Sequence, residues 1–156
     1  MLVVLAGCNA EAPKIGVVDV VRVINESNAG KKGNAELDAL VKAKQAELKG
    51  KADAVEKLKK GIGKEQAATR KAEEEKLGKA NSEYQKLASA SDAEVQKRAA
   101  QLRSMILEDL KKILGAIGRE EKFLLILTTD NMAYFQKTID ITDRVVKKYN
   151  ESTEGK

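Results

Sequence analysis

The sequence predicts an α+β protein, mostly α, with short strands near both ends of the chain and long helices between them. Three observations carry that reading. Of 156 residues, 34% are charged, 3% are aromatic and one is Pro, a composition suited to long exposed helices and poor in material for a large core. No Pro occurs between Lys31 and Glu121, where apolar residues recur at helical spacing. Compact β-branched and apolar runs stand only toward the ends, at 14–19 and 123–129.

The same composition removes most catalytic chemistry. Without His there is no Ser-His-Asp triad, no Cys-His pair and no imidazole metal site. A single cysteine, Cys8, makes neither an internal disulfide nor a thiolate zinc site. Carboxylates are plentiful but fall on solvated helix faces, as in Glu73-Glu74-Glu75. Gly61-Ile62-Gly63-Lys64 lacks the spacing and the following Ser/Thr of a phosphate loop. No catalytic residue, metal or cofactor is expected, and the chain is read as a non-enzyme. The net charge of +5 invites nucleic acid, yet acids interleave with bases and no aromatic-lined basic patch accompanies them.

From the N-terminus, Met1 to Cys8 is an apolar run ending Leu5-Ala6-Gly7-Cys8. It is too short to span a bilayer, which takes roughly 20 apolar residues, and no basic segment precedes it. It resembles the end of a bacterial lipoprotein signal, with Cys8 lipidated as the first mature residue and 1–13 serving as signal remnant and tether. Lys14-Ile15-Gly16-Val17-Val18-Asp19 reads as a buried strand. Val20 to Glu26 suits a short helix over it, and Ser27-Asn28-Ala29-Gly30 breaks or redirects the chain. Residues 14–30 thus open a body.

Residues 31–94 read as a helical-hairpin arm. Leu37, Val41, Leu48, Val55, Leu58 and Ile62 form a heptad-like seam, with Lys44 and Lys51 in two of its slots and many alanines around it. So narrow a seam packs on one partner helix. Pairs at i,i+4 support the exposed side: Asp38 with Lys42, Glu47 with Lys51, Asp53 with Lys57, Glu56 with Lys60, Glu94 with Arg98. Gly61 and Gly63 would together cost about 2 kcal/mol inside a helix, so the hairpin tip is placed at 61–63. The returning helix is sparse up to Glu94, with Leu77, Tyr84 and Leu87 its large apolar residues, and crowded from Val95 to Ile117.

Residues 95–150 complete the body with that helix, a β-hairpin and a final helix. Phe123 to Thr129 reads as a central strand, apolar on both faces. Asp130-Asn131 supplies a turn, with Met132 to Phe135 as hairpin partner. Asp140 is the expected N-cap of the final helix, which carries Val145, Val146 and Tyr149 on one face. Residues 151–156 are expected to be a disordered tail. So small a body cannot cover two-faced strands alone, so self-association is expected through Ile15, Val17, Val18, Leu125, Ile126, Leu127, Ile113 and Ile117.

This order of elements, together with Lys14-Ile15-Gly16-Val17-Val18-Asp19, Val23-Ile24-Asn25-Glu26-Ser27 with Gly30-Lys31, and Ile139-Asp140-Ile141-Thr142-Asp143, resembles the Skp/OmpH family of periplasmic chaperones from Pro13 nearly to the C-terminus. The resemblance implies a jellyfish-like trimer with hairpin arms around a cavity. It implies an ATP-independent holdase in the periplasm, whose partners are unfolded outer-membrane β-barrel proteins. Clients would touch the apolar arm residues Leu48, Val55, Ile62, Leu77 and Tyr84. The basic tip, Lys57, Lys59, Lys60 and Lys64, would attract acidic clients or lipid headgroups. Members of the family are usually soluble after signal cleavage, so an anchor at Cys8 would set this chain apart. The alternative is a lipid-anchored coiled-coil structural protein of the envelope that binds folded partners.

Overall fold

In the computed structural model, residues 12–62 and 67–153 are described. Their order is β1 (Ile15–Val18), α1 (Val20–Glu26), α2 (Asn28–Ile62), α3 (Ala67–Glu120), β2 (Leu125–Thr128) and α4 (Thr142–Thr153), with 3-10 turns at Thr129–Asn131 and Lys137–Ile139. The chain divides into two compact units, after Lys31 and again after Met105. We call the unit holding both strands the body and the other the arm. Residues 95–105, assigned to the body from their rising apolar content, fall in the arm unit. The calls on Cys8, Gly63 and Lys64 lie outside the described residues.

The body is built on β1. Val17 and Val18 are fully buried. β1 pairs with β2 in parallel, Ile15 opposite Leu125 and Val18 opposite Thr128. Parallel neighbours need a long crossover, which α1, α2 and α3 together supply. The other edge of β1 is taken near Asp140, where the Ile141 N–H donates to the Val17 carbonyl at 2.8 Å. β1 is therefore the central strand and β2 an edge, which corrects the reading of 123–129 as central. Leu125 and Leu127 remain 47% and 37% exposed.

The expected β-hairpin does not form. Thr129–Asn131 winds into a 3-10 turn closed by Met132 N–H on the Thr129 carbonyl, and Met132 to Phe135 join no strand. A second turn, Lys137–Ile139, delivers Asp140 to the open edge of β1. The segment is thus committed to β1 and cannot also fold back on β2.

α3 contributes Ile106, Leu110, Ile113 and Ile117 to the body, four buried residues at steps of four, three and four. They share the core with Val20 and Val23 of α1 and with Ile141, Val145 and Tyr149 around α4. Each such burial contributes about 1.5–3 kcal/mol. The final helix runs on to Thr153, so residues 151–153 are not a disordered tail. The Ser152 and Thr153 hydroxyls donate back to the Tyr149 carbonyl and tie down that last turn.

In the arm, α2 and α3 run antiparallel, as the ion pairs Glu36–Arg98, Lys44–Glu94 and Lys51–Glu83 require. Half-buried positions recur at three- and four-residue steps, through Leu37, Val41, Lys44, Leu48, Ala52, Val55, Leu58 and Ile62 on one helix. On the other they are Leu77, Ala80, Tyr84, Leu87, Val95, Ala99 and Leu102, with Ser91 buried in the same row. This is a two-helix seam of coiled-coil periodicity. Three charges expected to pair within a helix instead pair across it. Lys51 goes to Glu83, Arg98 to Glu36 and Glu94 to Lys44, while Glu56–Lys60 keeps the i,i+4 form. Gly61 is still helical at the end of α2. Among the described residues, no helix is long and apolar enough to cross a membrane.

Candidate functional site

The corner between α1 and α2 is a one-residue joint. Buried Ser27 follows Glu26, and its hydroxyl accepts from the Gly30 N–H at 3.1 Å. Gly30 lies so close to the end of α1 that an added Cβ would stand 1.6 Å from the Ile24 carbonyl oxygen. Only glycine fits. The joint fixes the turn from α1 into the first residues of α2.

A polar network ties α1 to α4. The Asp19 side chain caps α1 by accepting from Arg22 N–H at 2.9 Å. The Asp19 N–H donates to Thr142 Oγ1, and that hydroxyl donates on to Asp140 Oδ1 at 2.6 Å. Asp140 also accepts the Thr142 N–H at 2.9 Å, but it stands one residue before the N-cap position expected of it, which Ile141 holds: the Ile141 carbonyl accepts the Val145 N–H. Arg22 grips Glu26 through two hydrogen bonds and reaches Asp143 at 2.7 Å. Burial pushes the Asp140 carboxyl up, but the two Thr142 donors, with Arg22 and Lys137 nearby, outweigh it and hold it below its ordinary value. Burial, with Asp109 near, raises Tyr149. Asp19, Asp140, Thr142 and Asp143 hold one junction of the body.

The five arm residues expected to meet clients, Leu48, Val55, Ile62, Leu77 and Tyr84, are all half-buried at seam positions. Each offers an edge rather than a whole side chain. Lys57, Lys59 and Lys60 are exposed; Lys60 is paired with Glu56 at 2.5 Å. Lys59 and Lys60 stand in the last turn of α2, where cations suit the helix dipole.

One stretch of the seam is loosely filled. Val41, Lys44, Gln45, Leu48, Ala88, Ser91, Asp92 and Val95 line a groove of about 220 Å³. Ser91 is buried there, and its hydroxyl has no hydrogen-bond partner. Lys44 pairs with Glu94 at 2.7 Å, and that hydrogen bond raises its pKa despite some burial. Periodicity alone showed Lys44 in a seam slot but gave no sign of the orphan hydroxyl.

The expected oligomerisation residues divide. Val17, Val18, Ile113 and Ile117 are consumed by the core of their own chain, so they cannot form a docking surface. Ile15, Leu125 and Leu127 stay exposed, with Ile126 half-buried beside them. Leu124 is more exposed still, at 73%. Among the described residues no group of Cys, Asp and Glu is arranged to hold a metal.

These features coincide with a known group of proteins. The OmpH-like "Outer membrane protein" family matches residues 14–149. An uncharacterized protein of Aquifex aeolicus is 28% identical over 137 residues, covering 86% of this chain and 84% of its own length. Among solved structures, a Caulobacter crescentus protein described provisionally as an OmpH-like outer membrane chaperone superposes with a TM-score of 0.82. It shares 18% identity and is matched over 92% of this chain and 87% of its own; at that identity the likeness is one of fold. With the family matching nearly the whole described length, this chain belongs to the OmpH-like outer membrane protein family.

Proposed function

We propose that this protein is an ATP-independent holdase of the periplasm that keeps unfolded outer-membrane β-barrel proteins from aggregating. The observation that carries the reading is the arm. It is a two-helix hairpin whose apolar seam is only half covered, with mixed charge elsewhere and, along the described seam, an open groove rather than a closed pocket. Such a surface offers many weak contacts to an extended chain and releases it without nucleotide. Avidity between several arms then sets the strength.

Several arms require several copies. The exposed apolar edge of β2, with Ile15, Leu125 and Leu127, supports self-association, and the trimer of the family's chaperones is the assembly we assign. Cys8 would hold the body at a membrane, since five residues separate it from Lys14. The test is to mix the full chain with a urea-unfolded β-barrel protein and measure particle mass by light scattering after size exclusion, without ATP. Three chains per client in a soluble particle is the expected result. A monomer eluting apart from aggregated client contradicts the proposal, and tight binding to folded envelope proteins instead would favour the structural lipoprotein.

A further inference from the structure

One corner of the body is built unlike the rest. It lies where α3 ends and where β1 and β2 begin. Ala12, Pro13, Lys14, Glu121, Lys122, Phe123 and Leu124 line an open groove of about 420 Å³. Leu124 is 73% exposed. The Lys14 ammonium stands 4.1 Å from the Phe123 ring centre and donates to Glu121 Oε2 at 2.9 Å. Arg144 also pairs with Glu121, and Lys148 with Glu120. Four cations, Lys14, Lys122, Arg144 and Lys148, thus face two carboxylates, leaving a net charge of +2. Among the described residues no carboxylate is paired with Lys122.

Lys122 is also strained. Its φ is +55°, the left-handed region, and it is the one non-glycine residue there among those described. It follows the end of α3, where Phe123 N–H closes back on the Gly118 carbonyl at 2.9 Å. Glycine is the usual residue at that position. A lysine here gives up stability and places an exposed ammonium beside exposed Leu124. Strain of this kind concentrates at functional surfaces.

We infer that this corner is a docking surface for an anionic phospholipid bilayer. Leu124, Phe123 and Pro13 would enter the headgroup boundary, while Lys122 and its neighbouring cations meet lipid phosphates. Complementary charge and the exposed apolar groups beside it favour a membrane over a second copy, whose own corner would carry the same positive charge. The inference concerns the body alone and stands whether or not the arms bind clients.

The test uses the full chain with Cys8→Ser, so that no lipid anchor contributes, sedimented with phosphatidylcholine vesicles with or without 30% phosphatidylglycerol. Binding to the anionic vesicles, weakened by added salt, is expected. Lys122→Gly should relieve the strained backbone and hold or raise Tm while weakening vesicle binding about fivefold, the effect of one cation near an anionic surface. Leu124→Ser should weaken it further at unchanged oligomeric mass. Equal binding by wild type and both variants overturns the inference. So does loss of binding only on removing Lys57, Lys59 and Lys60, which would move the contact to the arm. A changed oligomeric mass for Leu124→Ser would assign the corner to self-association and also overturn it.

Discussion

An added Cβ at Gly30 would meet the Ile24 carbonyl oxygen, backbone that cannot retreat without opening the α1–α2 corner. Gly30→Ala should therefore cost about 3 kcal/mol or more, read as a fall in urea midpoint. By contrast Gly50 and Gly78, whose Cβ would meet open space, should gain helix stability on replacement by Ala, about 1 kcal/mol each. The pH response also belongs to single residues. Asp140 is held below its ordinary 3.8 and Glu121 below its ordinary 4.5, the latter by hydrogen bonding from Lys14 with Arg144 and Lys148 nearby. The unfolded chain then binds more protons than the folded one in that range, so stability rises with pH. It is fully present above the ordinary values and lost as pH falls through the lowered ones. Urea titrations at pH 7 and pH 3 should show this loss, and Asp140→Asn should reduce it.

At the scale of elements, the orphan hydroxyl of Ser91 weakens the seam without a compensating contact. Ser91→Ala should stabilise the arm by about 1 kcal/mol, seen as slower amide exchange along α3; an unchanged or faster exchange would mean that the hydroxyl is satisfied in solution. Elements differ in how far they could be read beforehand. α1 was legible to the residue, because its valines and isoleucine keep helical spacing, while the Asp19 cap emerged only in the structure. The arm helices were legible from their seam, but the partners of Lys51, Glu94 and Arg98 were not, since i,i+4 geometry is visible in one helix and the facing helix is not. The β-hairpin failed for a related reason. Asp130-Asn131 does turn the chain, yet the open edge of β1 recruits Asp140 and leaves Met132 to Phe135 out of the sheet. Lys122 gave no sequence signal at all, because the usual mark of a left-handed helix cap is a glycine and this one has none.

For the whole molecule, composition and the placement of strands near both ends were enough to give the fold class, whereas the family was legible only through the resemblance carried by Lys14 to Asp19, Val23 to Lys31 and Tyr134 to Val145. Which apolar residues face inward was not legible, since β1 and β2 have similar sequences but only β1 gains neighbours on both edges. This division carries an assembly prediction. Leu125→Glu with Leu127→Glu should abolish the proposed self-association while leaving the helical circular dichroism intact, because both side chains are exposed in the single chain. Val17→Glu should instead unfold the body, its side chain being fully buried.

The proposal as a whole stands on client holding. The most direct measurement is turbidity of a urea-unfolded outer-membrane β-barrel protein diluted into buffer, with and without the full chain and without ATP. The account predicts that aggregation is suppressed near one assembly per client and that the dissociated Leu125→Glu/Leu127→Glu variant loses this protection. Unchanged turbidity in the presence of folded wild-type protein would contradict it.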